Sequence, residues 1–455
     1  MALSERLRRI ANAIVPFWDA LYILQLEEYR VGRLAKWLPR FFFRRNVARR
    51  QQLRYTQRAK TIFAASLFLW VLAAVVVATS ALPLVVRVGL IGVLCTFGHA
   101  FVAAGTWALW PVHHVAALRA MRRAASVVAS RKEMRVVAVA GSYGKTTTKQ
   151  FVYDLARHVL PTQMVPGTIN TPRGIAAWIL KDLRPSTELL VVEMDAYQVG
   201  EIARSCKIAP PDIAVITNVG DQHLERFGSV DRLASALRET IFGSKPTATV
   251  VFDEETYSRL GRPDPGGRTV RLVGCAPAYR SVLVATKHLS DSSVANLRLA
   301  LAVANLVGVP ERFVLDSCAK LEPPERRQRH AALYGYDAID DSYNVSFMTA
   351  RAGIRAGRSL ASSTGKKLLV VTAGIPELGP HERDKNRLLG TMLRGQADYT
   401  VVLHSLFARE IKAGIGSGPH RVVADLAAFL AMAHGSFPPS EWVLLLQPEL
   451  HDLYY

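Results

Sequence analysis

Apolar and polar positions alternate along this chain in two distinct regimes. Residues 61–86 contain no Asp, Glu, Lys or Arg, and neither do residues 88–118; Arg87 alone separates them. Each stretch exceeds the roughly 20 apolar residues that a helix needs to cross a bilayer. The pattern therefore predicts a two-helix membrane hairpin over 61–118. A cleavable signal peptide would sit at the extreme N-terminus, with a shorter apolar core and a small-residue cleavage site. From residue 135 the apolar runs shorten. RVVAVA (135–140), ELLVVE (188–193), DIAVIT (212–217) and TATVVF (247–252) read as buried parallel strands, with amphipathic helices over 146–159 and 230–242. GRPDPGGR (261–268) reads as a surface loop and 292–310 as an Ala/Leu-rich helix with a Gly-Pro stop. Charged LEPPERRQR (321–329) reads as a linker. Beyond it YDAID, KLLVVTA, DYTVVLH and EWVLLLQ repeat the strand pattern.

At 455 residues the chain accommodates two or three domains, each with its own core. Its four cysteines are scattered and form no CxxC pair, which argues against a metal cluster or a disulfide framework. The net charge of +20 is uneven: residues 1–60 hold 14 Arg and Lys against 4 Asp and Glu. The stretch 41–60, basic with interleaved aromatics, has the composition of a nucleic-acid surface. Its place before an apolar span assigns it instead to anionic lipid heads, and no nucleic-acid partner is expected. Those basic residues, with Arg119, Arg122, Arg123, Arg131 and Lys132 after the second span, outweigh Arg87 at the tip. Positive residues stay inside, so both ends are expected in the cytoplasm and the chain in the cytoplasmic (inner) membrane.

The candidate chemistry starts in GSYGKTTT (141–148), between a strand and a helix. Gly141 and Gly144 let backbone approach phosphate oxygens, and amides at the helix N-terminus face the anion. Lys145 would neutralise the outer phosphates and Thr146 would offer its hydroxyl to Mg²⁺. The strict phosphate-loop pattern wants glycine at position 139, which is valine here. Glu193 ends one strand and His223 follows the next, in the crevice region where open α/β sheets place ligands. Alone, the histidine is an ordinary loop residue and the glutamate a helix cap. Together they have the makings of a metal–phosphate site.

These motifs resemble a family. GSYGKTTT, VPGTINTPRGI, VVEMDAYQVGEI and TNVGDQHLERFGS match, in order, the central domain of the Mur ligases, and most resemble the branch that adds D-alanyl-D-alanine to the peptidoglycan precursor. VANLRLALAVANLVGV, PPERR, DDSYNVSF and TAGIPELG extend the resemblance to about residues 134–400. It implies an ATP-dependent amide ligase with ATP and Mg²⁺ as cofactors, acting through an acyl phosphate. It implies ATP binding by Gly141, Ser142, Tyr143, Gly144, Lys145, Thr146, Thr147, Asn296, Arg326, Asp341 and Tyr343. Thr146, Glu193 and His223 would hold the metal, and catalysis would rest on Lys145, Glu193, His223 and Arg326. The fold expected is α/β, with a P-loop central domain over 119–322 and a Rossmann-like C-terminal domain over 323–455. The hairpin over 61–118 and a basic juxtamembrane segment over 1–60 precede them. The partners expected are a cell-envelope precursor, an amino acid or dipeptide, membrane lipid and other envelope enzymes.

Three features depart from the family pattern. A membrane anchor stands where the family carries its UDP-binding domain, so the acceptor lacks UDP, is lipid-linked or is held by another protein. The family's carbamylated lysine falls at Leu237, or at Arg238 with a small shift, and neither forms a carbamate. Either the site uses one metal, or activity is reduced or lost. Finally, no basic, glycine-bearing acceptor loop precedes the terminal QPELHDLYY. A polyglutamate-type polymerising ligase and an ATP-binding pseudo-ligase scaffold remain the alternatives.

Overall fold

The computed structural model describes residues 11–35, 53, 55–167, 169–221, 224–273, 286 and 289–447. His223, the basic run over 41–52 and the QPELHDLYY tail beyond Gln447 lie outside them. The chain divides into two compact units, 1–119 and 120–455.

In the first unit α1 (Phe17–Leu26) is apolar and mostly buried, although it belongs to the segment expected to be basic and juxtamembrane. α2 (Gln57–Thr79) starts under a Thr56 side-chain cap and is long and apolar enough to cross a membrane. Phe17 meets Phe63 and Trp70 of α2 edge-on, at ring separations of 6.0 and 6.3 Å. The second apolar stretch differs from expectation: it forms α3 (Leu84–Thr96) and α4 (Gly98–Ala108), bent by 65° at Phe97. At the bend the N-terminal chain comes so close that a Cβ on Gly98 would stand 2.5 Å from Val15 Cγ1. α5 (Trp110–Ala129) then starts with a proline in its first turn, where no intrahelical N–H is needed.

The second unit holds two sheets. The first is all parallel, in the order β2-β3-β1-β4-β5-β6. In chain order it comprises β1 (Arg135–Ala140), α6 (Lys145–Ala156), β2 (Thr162–Met164), α7 (Pro172–Asp182), β3 (Leu189–Glu193), α8 (Glu201–Ile208), β4 (Ile213–Ile216), α9 (Val230–Phe242), β5 (Thr249–Phe252), α10 (Glu254–Arg259) and β6 (Thr269–Leu272). α11 (Asp291–Val307) and α12 (Glu311–Cys318) follow. β1, β3 and β4 are buried on both faces, as continuous Val/Ile/Leu runs require. One face packs on α7, α8, α9 and the end of α5, the other on α6, α11 and α12.

The second sheet comprises β7 (Arg329–Leu333), β8 (Tyr336–Asp340), α13 (Phe347–Thr364), β9 (Lys367–Thr372), α14 (Glu382–Gln396), β10 (Tyr399–Leu403), α15 (Ala408–Ile415), β11 (His420–Val423), α16 (Leu426–Ser436) and β12 (Trp442–Leu446). Its order is β11-β10-β9-β12-β8-β7, parallel except for the β7–β8 edge hairpin. The turn Leu224–Phe227 of the first sheet's region meets the chain before α14: Glu225 N–H donates to the Glu377 carbonyl at 3.0 Å, Arg226 pairs with Glu377 and Lys385 with Asp221.

Candidate phosphate-binding site

The turn from β1 into α6 is held from β4. Asn218 accepts from the Tyr143 amide at 3.1 Å and donates to its carbonyl at 2.8 Å, and Thr217 donates to the same carbonyl. Gly220 N–H donates to Ser142 Oγ at 2.9 Å. A Cβ on Gly141 would meet Thr217 Oγ1 at 2.1 Å, and Gly144 caps α6 at φ +79°. Both positions need glycine, the first for space and the second for backbone conformation. The Tyr143 ring packs on Gly220, and burial pushes its phenol up to about 12. The Tyr143 amide and carbonyl are what Asn218 and Thr217 hold. Thr147 is buried in the first turn of α6.

Lys145 Nζ donates to the carbonyls of Gly141 at 2.7 Å and Ser142 at 3.1 Å, with Asp195 3.3 Å away. Thr146 Oγ1 donates to Glu193 Oε2 at 2.8 Å, so the expected hydroxyl and carboxylate meet at the helix N-terminus. Burial alone would push the Glu193 carboxyl up. The charges of Lys149, Lys145 and Arg327, with the Thr146 bond, outweigh it and hold the carboxyl below its ordinary value. A hydroxyl and an ionised carboxylate form the hard-oxygen donor set that Mg²⁺ takes, so the residues present fit that ion.

Lys149, one turn beyond Lys145, went unread in the sequence. Its Nζ lies 3.2 Å from Glu193 and donates to the carbonyls of Val165 at 3.0 Å and Gly167 at 2.7 Å. The signal was a lysine among the buried positions 147, 148, 151 and 152 of α6. Asn170 completes the cluster, donating to Glu193 at 3.1 Å and to Asp195 at 3.4 Å.

Asn296, on α11, covers the loop so closely that a Cβ on Gly144 would stand 2.2 Å from its Oδ1. Arg326 has φ +64°, and its guanidinium donates to Ser342 Oγ at 2.9 Å and the Ser342 carbonyl at 2.6 Å. Its neighbour Arg327 lies 4.2 Å from the exposed Tyr343 ring, and its charge acts on Glu193, Lys149 and Asp341. Asp341 is 3% exposed and close to Gly353 of α13. Burial pushes its carboxyl well above the ordinary value, against the pull of Gln328 and Arg327. Leu237 is buried in the core between sheet and helices, while Arg238 donates to the Leu260 carbonyl at 3.1 Å. Glu239 accepts from the amides of Gly200 and Ala203 and so caps α8.

Residues 139–294 match the Mur ligase middle domain. The UDP-N-acetylmuramoyl-tripeptide–D-alanyl-D-alanine ligase of Bacillus subtilis is 27% identical over 294 residues, which are 61% of this chain and 64% of that one. The Mycobacterium tuberculosis (strain CDC 1551 / Oshkosh) ligase of the same name is 26% identical over 378 residues, 72% of this chain and 74% of the relative. Among solved structures, MurF of Thermotoga maritima in complex with ADP superposes with a TM-score of 0.63 at 26% identity, covering 73% of this chain and 80% of that one. MurF of Acinetobacter baumannii shares the fold at a TM-score of 0.63 and 22% identity, over 73% and 77% of the two chains. The chain thus spans just under two thirds of the Bacillus relative's length. Ordered motifs, loop geometry and these likenesses agree: residues 139–294 are a Mur ligase middle domain, and the chain resembles the MurF-like branch, whose members are amide ligases that use ATP and Mg²⁺.

Proposed function

We propose that the protein is a membrane-anchored Mur-type ligase joining an amino acid or dipeptide to a carboxylate of a peptidoglycan-related precursor. The observation that carries this reading is the meeting of Thr146 and Glu193 at 2.8 Å beside the Lys145 loop. ATP phosphates entering the loop would draw Lys145 from its two carbonyls. Thr146 and Glu193, with His223, would hold Mg²⁺, which would supply charge neutralisation at the phosphates. The precursor carboxylate oxygen attacks the γ-phosphorus and ADP leaves, giving an acyl phosphate. The amine attacks its carbonyl carbon, phosphate leaves, and loss of a proton gives the amide. We assign Arg326, whose guanidinium reaches Ser342, to the transferring phosphoryl group, with Arg327 beside it adding positive charge. Asn296 covers the loop at the nucleotide's base. Asp341 supports the Arg327 region, and Tyr343 stands in front of it. In this reading 119–322 is the ATP-binding domain and 323–455 a Rossmann-like domain, and closure of one on the other excludes water.

The anchor is the hairpin over 61–118, with both ends cytoplasmic and residues 1–60 beside lipid heads. Phe68 and Val76 of α2 are 67% and 60% exposed, a surface suited to lipid. The returning leg is the bent pair α3–α4. The relatives' names make a UDP-N-acetylmuramoyl tripeptide and D-alanyl-D-alanine the first substrate pair to try.

The test is phosphate release by the detergent-purified full chain with ATP, Mg²⁺, envelope precursors and a panel of amino acids and dipeptides. Release needing both a precursor and an amine, with the matching mass increase, is the expected result. ATP binding without turnover in every mixture would instead identify a pseudo-ligase scaffold. One observation favours that second reading: the family lysine position is a core leucine.

A further inference from the structure

We infer that a basic pocket in the second unit binds the phosphodiester headgroup of an anionic glycerophospholipid; the inference rests on the membrane-anchored reading. The pocket, about 620 Å³, is built from the end of α5, the turn that follows it, the end of α8 and the chain after α9. Four cations line it, Arg131, Lys132, Lys207 and Lys245, and no carboxylate does. Lys245 alone has an acidic partner, Asp212, at 2.8 Å, and that carboxylate also accepts the Val136 amide. Arg131 donates to the main-chain carbonyls of Leu183 and Arg184, which leaves its charge uncompensated. Lys132 and Lys207 are exposed and have no acidic partner among the described residues. Glu133, next to Lys132, is exposed and does not line the pocket.

The interior of the pocket is apolar, with Val128 and Met134 nearly buried. A cationic rim around an apolar floor suits a phosphodiester bonded to glycerol and acyl carbon. Its lining holds no aromatic ring for a nucleotide base to stack on. Continuity supports the same ligand. α5 carries the exposed apolar residues Val112 and Val115 before Arg119, Arg122 and Arg123, and its last turns line the pocket. The first lining residue, Ala125, follows Arg119 by about 9 Å of helix, so a chain anchored as proposed carries this pocket on the helix that leaves the bilayer.

The full chain in neutral detergent, titrated with phosphatidylglycerol or phosphatidylcholine and read by native mass spectrometry, tests this. Phosphatidylglycerol should be retained over phosphatidylcholine. The double variant Lys132→Glu, Lys207→Glu should weaken that retention about ten-fold or more, while Lys132→Arg, Lys207→Arg preserves it. Both side chains are exposed, and unchanged ATP affinity confirms that the variants fold. Equal retention by the charge-reversed chain overturns the inference. So does inorganic phosphate displacing the lipid at millimolar concentration, which would assign the pocket to a free anion. Carbonate washing of membranes separates the two readings: release of the wild-type chain sinks the anchor, whereas a retained chain with unaltered lipid binding sinks only the pocket.

Discussion

Glu193 is 2% exposed, and its charge persists because Lys149, Lys145 and Arg327 surround it. Removing one partner of such a buried pair strands the other, at a cost of about 3–5 kcal/mol. Lys149→Met should therefore destabilise the protein by roughly that amount at neutral pH, and adding Glu193→Gln should recover part of it in urea titrations. The folded Glu193 value is depressed, so the stability its ionisation contributes is present above the unfolded value. It is lost as pH falls through the depressed one, and the Lys149→Met deficit should shrink in acid. Asp341 runs the opposite way. Its folded value is raised, so wild-type stability falls as pH climbs from the unfolded value towards the raised one. Asp341→Asn should gain stability relative to wild type from pH 4 to pH 8; a pH-independent difference would refute the burial account. Lys145→Ala should lower phosphate release on the order of 10³-fold while the chain still folds, because Lys149 and Arg327 remain to balance the Glu193 charge. Lys145, Thr146 and Glu193 were legible because a glycine-bounded turn and a strand end dictate where they sit. Lys149 and Arg327 were not: burial against a distant strand recruits the first, and nothing in the charged run 321–329 distinguishes the second from its neighbours.

At the scale of elements, the buried strands were legible and the half-exposed edge strands were not. β1, β3, β4 and β5 announce themselves as continuous apolar runs. β2, β6 and β11 are half-exposed, so no continuous apolar run marks them. The break between α3 and α4 escaped for another reason: both sides of Phe97 are apolar, so the hydrophobic pattern runs through the bend unbroken. Helix pairing is also invisible to periodicity. α14 and α15 cross with their backbones almost touching: a Cβ on Gly390 would stand 2.1 Å from the Ile411 carbonyl oxygen, and one on Gly414 2.0 Å from that of Arg387. Backbone cannot yield as a flexible side chain does. Gly390→Ala should therefore cost about 1–3 kcal/mol, the range for overpacking, despite alanine's better helix propensity. A thermal midpoint at or above wild type would show that the two helices separate without penalty.

For the whole molecule, the two units predict how the chain can be cut. The two hydrophobic cores that enclose the first sheet of the second unit draw on no residue before Met121. Removing residues 1–118 therefore leaves both cores whole, and with them the loop, Glu193 and the cluster around it. That fragment should stay in the supernatant after ultracentrifugation without detergent and bind ATP as tightly as the full chain, which should sediment with membranes. Cutting further tests the same logic from the other side. Ala124 and Val128 of α5 are buried in the core, with Met121 and Val127 packed against it. Removal of residues 1–129 should bare that face and lower the thermal midpoint, by roughly 2–4 °C for each kcal/mol lost. The shorter fragment should also aggregate more readily, because the apolar surface under the first sheet becomes exposed. If the two fragments melt together, α5 contributes nothing to the nucleotide-binding unit. If the longer one still sediments with membranes, the second unit carries a membrane attachment of its own, and the basic pocket at the end of α5 is the first place to look for it.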